Sequence, residues 1–128
     1  MHQLTVIPGD GIGPEIIDAA LAVLDATGVP MSWTKAEMGT GAFERTGDPL
    51  PAATLAAIHA SDATLKGPCS TPRSGAIFRS ANVNLRLKLD LFASVRPCRS
   101  FPEVRTPFSG VDIVVASGNT EDKSGGGQ

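Results

Sequence analysis

The first apolar cluster, Leu4-Thr5-Val6-Ile7, is short and β-branched, and Pro8-Gly9-Asp10-Gly11-Ile12-Gly13 follows at once. A run of this kind, cut off by turn residues, predicts a strand. Pro14 then stands where a helix accepts proline, in its first turn, with Glu15 beside the positive helix end. Ile16, Ile17, Ala20, Leu21 and Leu24 recur at helical spacing, while Asp18 and Asp25 face outward. Gly28 closes this helix and Pro30 prevents its resumption. A second strand is predicted over 31–38. Gly39 and Gly41 read as a glycine-rich turn, leading into a loop that ends at Pro49. Pro51 opens a short helix through Leu55 and Ile58, and Ala63-Thr64-Leu65 reads as a third strand. The order β-α-β-α-β predicts an α/β fold, a mostly parallel sheet flanked by helices.

A long polar loop follows, Lys66-Gly67-Pro68-Cys69-Ser70-Thr71-Pro72-Arg73-Ser74-Gly75. It starts at the carboxyl end of a predicted strand, where open α/β sheets bind ligands. Ser80 is the predicted N-cap of a helix reaching about Leu89. Further strands are predicted over 91–95 and 111–116. The expected core is Val6, Ile7, Ile17, Leu21, Leu24, Leu55, Ile58, Leu65, Leu91, Val95, Ile113 and Val114. The glycine-rich stretch 123–128 carries no pattern and is expected to be disordered.

Composition adds limits. The 128 residues amount to about one domain, 41% hydrophobic and 19% charged. No apolar run approaches the roughly 18 residues of a membrane span, and the N-terminus does not read as a secretory signal. Cytoplasm or another reducing compartment is the expected location. Cys69 and Cys98 have no metal-site spacing and read as plain thiols. Net charge is −2, but it is unevenly spread. Between residues 66 and 105, Lys66, Arg73, Arg79, Arg86, Lys88, Arg96, Arg99 and Arg105 face only Asp90 and Glu103. A solvated basic face is the plain reading. Arginine also favours bidentate contact with carboxylate or phosphate, so a small polyanionic ligand is the sharper one. Nucleic acid fits poorly, with a pI of 5.6 and no interleaved aromatics.

Candidate chemistry concentrates in Ser80-Ala81-Asn82-Val83-Asn84-Leu85-Arg86. Asn82 and Arg86 are four apart and share a helix face, and Ser80 caps the same end. A hydroxyl, an amide and a guanidinium then converge at a helix start, which itself attracts anions. A capped amphipathic surface helix is the bland alternative. Arg96 lies just past the next predicted strand, either joining Arg86 on a carboxylate or standing as a loop charge. The glycines of Gly9-Asp10-Gly11-Ile12-Gly13-Pro14 miss the G-x-G-x-x-G dinucleotide spacing and read as a tight turn. His59 reads as a solvated or capping residue near a helix end. No Ser-His-Asp set and no His/Cys metal cluster can be assembled, so no catalytic or metal residue is assigned.

The segments TVIPGDGIGPEI, LKGPCSTP, RSANVNLRLKLDLFASVRPC and VDIVV…NTED resemble, in order, the N-terminal part of the β-decarboxylating dehydrogenases. That family holds isocitrate, isopropylmalate and homoisocitrate dehydrogenases, and the likeness runs from about Leu4 to Asp122. The Ser-x-Asn-x-x-x-Arg pattern looks like the isocitrate branch, and VRPC is most similar to NAD-dependent isocitrate enzymes. The resemblance implies that Ser80 and Asn82 touch the extra carboxylate of the substrate and that Arg86 and Arg96 clamp its carboxylates. It implies that Lys66 and Thr71 line the site near the nicotinamide. It further implies oxidative decarboxylation of isocitrate to 2-oxoglutarate, with NAD or NADP and Mg²⁺ or Mn²⁺ as cofactors of the full-length family.

The resemblance also has departures. Ser117 and Gly118 stand where the family has Arg-Glu, and Ser124 where it has a tyrosine. The catalytic lysine, metal aspartates and adenine loop of the family belong to a C-terminal part that does not follow in this chain. The family fold implies that residues 1–98 begin the large domain and 99–122 the small one. A truncated, inactive member is therefore expected, with incomplete burial of the expected core and an open sheet edge that favours self-association or association with a full-length relative. A non-catalytic polycarboxylate-binding or regulatory module, an isopropylmalate-type fragment and a product without function are the alternatives. The expected partner is isocitrate or a similar polycarboxylate, with no nucleic acid and no membrane.

Overall fold

The computed structural model describes residues 1–70 and 80–118. Contacts divide the chain into two compact units, Met1–Leu85 and Arg86–Gln128. In the first unit, β1 (His2–Ile7), β2 (Met31–Lys35) and β3 (Ala63–Lys66) form a parallel sheet in the order β2-β1-β3. Val6 pairs with Lys35 on one side and with Leu65 on the other. The central strand lacks the alternation of a half-solvated one. Thr5, Val6 and Ile7 are all buried, as expected for a parallel strand covered on both faces. The Thr5 hydroxyl donates to the Ala57 carbonyl at 3.0 Å, so its burial leaves no polar group unpaired.

Three helices pack around this sheet. α1 (Gly13–Asp25) carries proline in its first turn and buries Ile17. Beyond its end the Gly28 N–H donates to the Asp25 carbonyl at 3.1 Å, with Gly28 at φ 72°. α3 (Ala52–His59) starts behind Pro51, ends on the exposed His59 and buries Thr54. The Thr54 hydroxyl donates to the Glu37 carbonyl at 2.7 Å and ties α3 to the segment after β2.

α2 (Thr40–Thr46) occupies what the glycine pattern predicts as turn and loop. Gly39 at φ 103° precedes it and Gly47 at φ 76° ends it in the left-handed region. These glycines bracket a short helix, and they do so through backbone angles that other residues rarely adopt. β2 accordingly stops at Lys35, three residues short of the predicted strand. Ala36, Met38, Ala42 and Leu50 are buried around α2, and none of them is in the expected core.

α4 (Ala81–Lys88) buries Ala81 and Leu85 and crosses from the first unit into the second. In the second unit β4 (Ala93–Arg99) and β5 (Asp112–Gly118) form a two-stranded antiparallel sheet, from Ala93 opposite Gly118 to Arg99 opposite Asp112. Its open end is closed by the Ser100 N–H on the Val111 carbonyl at 2.8 Å, and Arg99 meets Asp112 at 2.8 Å. The mostly parallel sheet that was expected is the one in the first unit, and this separate pair is antiparallel. β4 also runs on through Pro97, which both strands of a two-stranded sheet can accept as edges. Burial of the expected core is incomplete, as the missing C-terminal part implies: Leu91, Val95, Ile113 and Val114 are exposed, Val114 by 66%. The segment 123–128, expected to be disordered, lies outside the described residues.

Candidate functional site

Of the four residues expected to meet a polycarboxylate, Ser80, Asn82 and Arg86 lie on α4 or directly before it. Ser80 directly precedes the helix, and its carbonyl accepts the Asn84 N–H at 3.0 Å, as an N-cap residue's does. Asn82 stands in the first turn, half-buried. Its Oδ1 is buried with no hydrogen-bond partner among the described residues. A buried amide oxygen without a donor is costly, and a ligand hydroxyl or N–H relieves the cost. Arg86, one helical turn further on, is exposed and accepts Leu91 at its carbonyl at 2.9 Å. Ser80 and Asn82 belong to the first unit, Arg86 and Arg96 to the second.

Arg96 lies within β4, opposite Val115, and not in a loop past the strand as the sequence suggests. The strand extends to Arg99, so Arg96 is fixed by the ladder. Among the described residues neither Arg86 nor Arg96 forms an ion pair. Thr71 lies outside the described residues. Lys66 ends β3, half-buried, and its Nζ donates to the Gly67 carbonyl at 2.6 Å.

The carboxyl ends of the three parallel strands hold a second constellation that sequence reasoning missed. The Asp10 carboxylate, in the turn between β1 and α1, accepts three backbone N–H groups. Thr40 donates to Oδ2 at 2.9 Å, Gly41 to Oδ1 at 3.1 Å and Ser70 to Oδ2 at 2.8 Å. The Asp10 N–H in turn donates to the Pro68 carbonyl at 2.8 Å. Gly9, at φ 78°, lets these backbones cross, because a Cβ there would stand 2.0 Å from the Pro68 oxygen. Burial pushes the Cys69 thiol up from its ordinary pKa, Lys66 opposes the rise and Asp10 adds to it. The one signal available in the sequence was an aspartate between glycines in a strand–turn–helix context.

A cleft of about 240 Å³ adjoins this turn, lined among others by Asp10, Asp18, Lys35, Glu37 and Arg45. Glu37 and Arg45 pair across 2.7 Å. The lining carries three carboxylates against two cations, and Asp10 already takes the N–H groups at the start of α2. These residues do not make a cradle for a dinucleotide pyrophosphate. Among the described residues no three His, Cys, Asp or Glu side chains come together to hold a metal ion. No helix among them is long and apolar enough to cross a membrane.

A family model described as isocitrate/isopropylmalate dehydrogenase matches residues 3–127. The chain is 44% identical to isocitrate dehydrogenase [NADP] of Thermus thermophilus, over 93% of this chain and 24% of that protein. It is 38% identical to the chloroplastic 3-isopropylmalate dehydrogenase of Solanum tuberosum, over 97% of this chain and 34% of that one. The crystal structure of isocitrate dehydrogenase from Methylococcus capsulatus superposes with a TM-score of 0.87 at 50% identity. That match covers 94% of this chain and 35% of the other. The chain thus spans about a quarter to a third of the length of these relatives. With the parallel β2-β1-β3 sheet and its flanking helices in place, it belongs to the isocitrate/isopropylmalate dehydrogenase family.

Proposed function

We propose that this chain supplies the substrate-recognising N-terminal part of an isocitrate-type β-decarboxylating dehydrogenase, and that by itself it does not catalyse the reaction. The observation that carries the reading is the composition of α4 and its start. Ser80 offers a hydroxyl, Asn82 two amide donors and an unpartnered buried oxygen, and Arg86 an exposed guanidinium. A 2-hydroxy tricarboxylate matches that set, since its carboxylates take the donors and its hydroxyl can donate to the Asn82 oxygen. Arg86 and Arg96 would hold carboxylates in place, and Lys66 and Thr71 would border the nicotinamide. NAD or NADP supplies the hydride acceptor when bound. Lack of turnover by the chain alone is the reading that its span of 24–35% of the relatives' lengths favours.

Calorimetry with isocitrate and citrate tests the binding. Heat is expected for the unaltered protein, and a loss on the order of tenfold or more in affinity for Arg86→Ala, which removes a charge-assisted contact. No heat with either protein overturns the reading. Reduction of NAD or NADP above a no-protein control, with isocitrate and Mg²⁺ or Mn²⁺, overturns the expected inactivity. A second reading, an isopropylmalate-type site, is favoured by the 38% identity to the Solanum tuberosum enzyme. Tighter binding of isopropylmalate than of isocitrate decides for it.

A further inference from the structure

We infer that Asp10 is a positioning residue that fixes the segment Gly67–Ser70, which follows Lys66, against the β1–α1 turn and the start of α2. The inference rests on the reading in which Lys66 borders the cofactor side of the site, and it adds a residue to which no role has been given. Three observations carry it. One carboxylate collects N–H donors from positions 30, 31 and 60 residues away, so it joins three connections that lie at the same edge of the sheet. Its backbone N–H adds a fourth bond, to Pro68. The carboxylate also occupies the space that a side chain at position 39 would fill: a Cβ on Gly39 would stand 2.2 Å from Oδ2, so the start of α2 can approach it only because that residue is glycine. Charge-assisted bonds of this type are about twice as strong as neutral ones.

The geometry also excludes a close substitute. Asparagine keeps the shape but turns an N–H₂ toward at least one of the three donors, since Oδ1 and Oδ2 both accept. Glutamate keeps the charge but its extra methylene displaces the carboxylate from the positions where Thr40, Gly41 and Ser70 donate.

The test uses the whole chain in a Cys98→Ser background, so that thiol labelling reports Cys69 alone. Backbone hydrogen exchange and the pH profile of Cys69 alkylation are measured for Asp10 and for Asp10→Asn. In the variant the amides of Thr40, Gly41 and Ser70 should exchange about tenfold faster or more, the scale of one charge-assisted hydrogen bond. The β1 amides should keep their protection. The alkylation profile should move to lower pH, because the carboxylate no longer opposes the thiolate. Unchanged Ser70 exchange with β1 still protected, or an unmoved Cys69 profile, overturns the inference. Where Asp10→Asn loses β1 protection as well, Ser70→Pro deletes one donor and leaves the carboxylate intact. Cys69 should then alkylate faster with Thr40 and Gly41 still protected, and an unchanged rate overturns the inference. None of these readouts needs a ligand, so failure here is distinct from failure of the binding experiment.

Discussion

Burial dominates the ionisation of the Cys69 thiol, with the Lys66 ammonium lowering its pKa and the Asp10 carboxylate raising it. A thiol whose pKa is higher folded than unfolded makes the unfolded chain lose its proton first. Stability is then whole below the unfolded value, about pH 8.5, and falls as pH rises from there toward the folded one. The urea midpoint is therefore expected to drop between pH 8 and pH 10 in the unaltered protein, and to drop less in Cys69→Ala. Equal slopes would remove the burial argument. Leu50 is 1% exposed, and Leu50→Ala should cost about 2–5 kcal/mol by denaturant unfolding, the usual range for an unfilled aliphatic site. The two residue-scale sites differ in how far the sequence reveals them. Ser80, Asn82 and Arg86 lie within one helix and its start, so spacing alone places them together. Asp10 finds its partners at Thr40, Gly41 and Ser70, and no local pattern announces contacts at that separation.

Among the elements, α2 shows what local reading cannot reach. Seven residues with a glycine inside and glycines at both ends are poor helix formers by propensity. The carboxylate of Asp10 supplies acceptors for its first N–H groups from another part of the chain, and buried Ala42 anchors it. Gly47 closes the helix at φ 76°, so Gly47→Ala should cost about 1 kcal/mol, measured as a shift in the denaturant midpoint without a change in slope. A neutral outcome would mean that the last turn rearranges. β1, α1, α3 and β3 were legible because each is bounded by its own proline or glycine. β4 was legible as a strand but not in direction, since pairing partner and orientation are decided by β5.

At the scale of the whole molecule, apolar surface is unevenly distributed. Every residue of β5 is exposed, and Phe92, Phe101 and Phe108 are each more than two-thirds exposed. A single hairpin is marginal in water, so the amides of β4 and β5 should exchange much faster than those of β1. Uniform protection across both units would contradict this. The same surface predicts association that grows with protein concentration, which sedimentation velocity checks, and a broad thermal transition. A sharp, concentration-independent melt would speak against both. The parallel sheet itself has one more property, set by the order β2-β1-β3. Its middle strand is the first of the three to be synthesised, and both neighbours come later. At about 5–20 residues per second, the interval from Ile7 to Ala63 lasts several seconds. During that time Thr5-Val6-Ile7, the most buried stretch of the finished sheet, has at most one flank covered as it leaves the ribosome. The sheet grows outward from its middle strand, and that strand, when newly made, is the part of the sheet most in need of shelter.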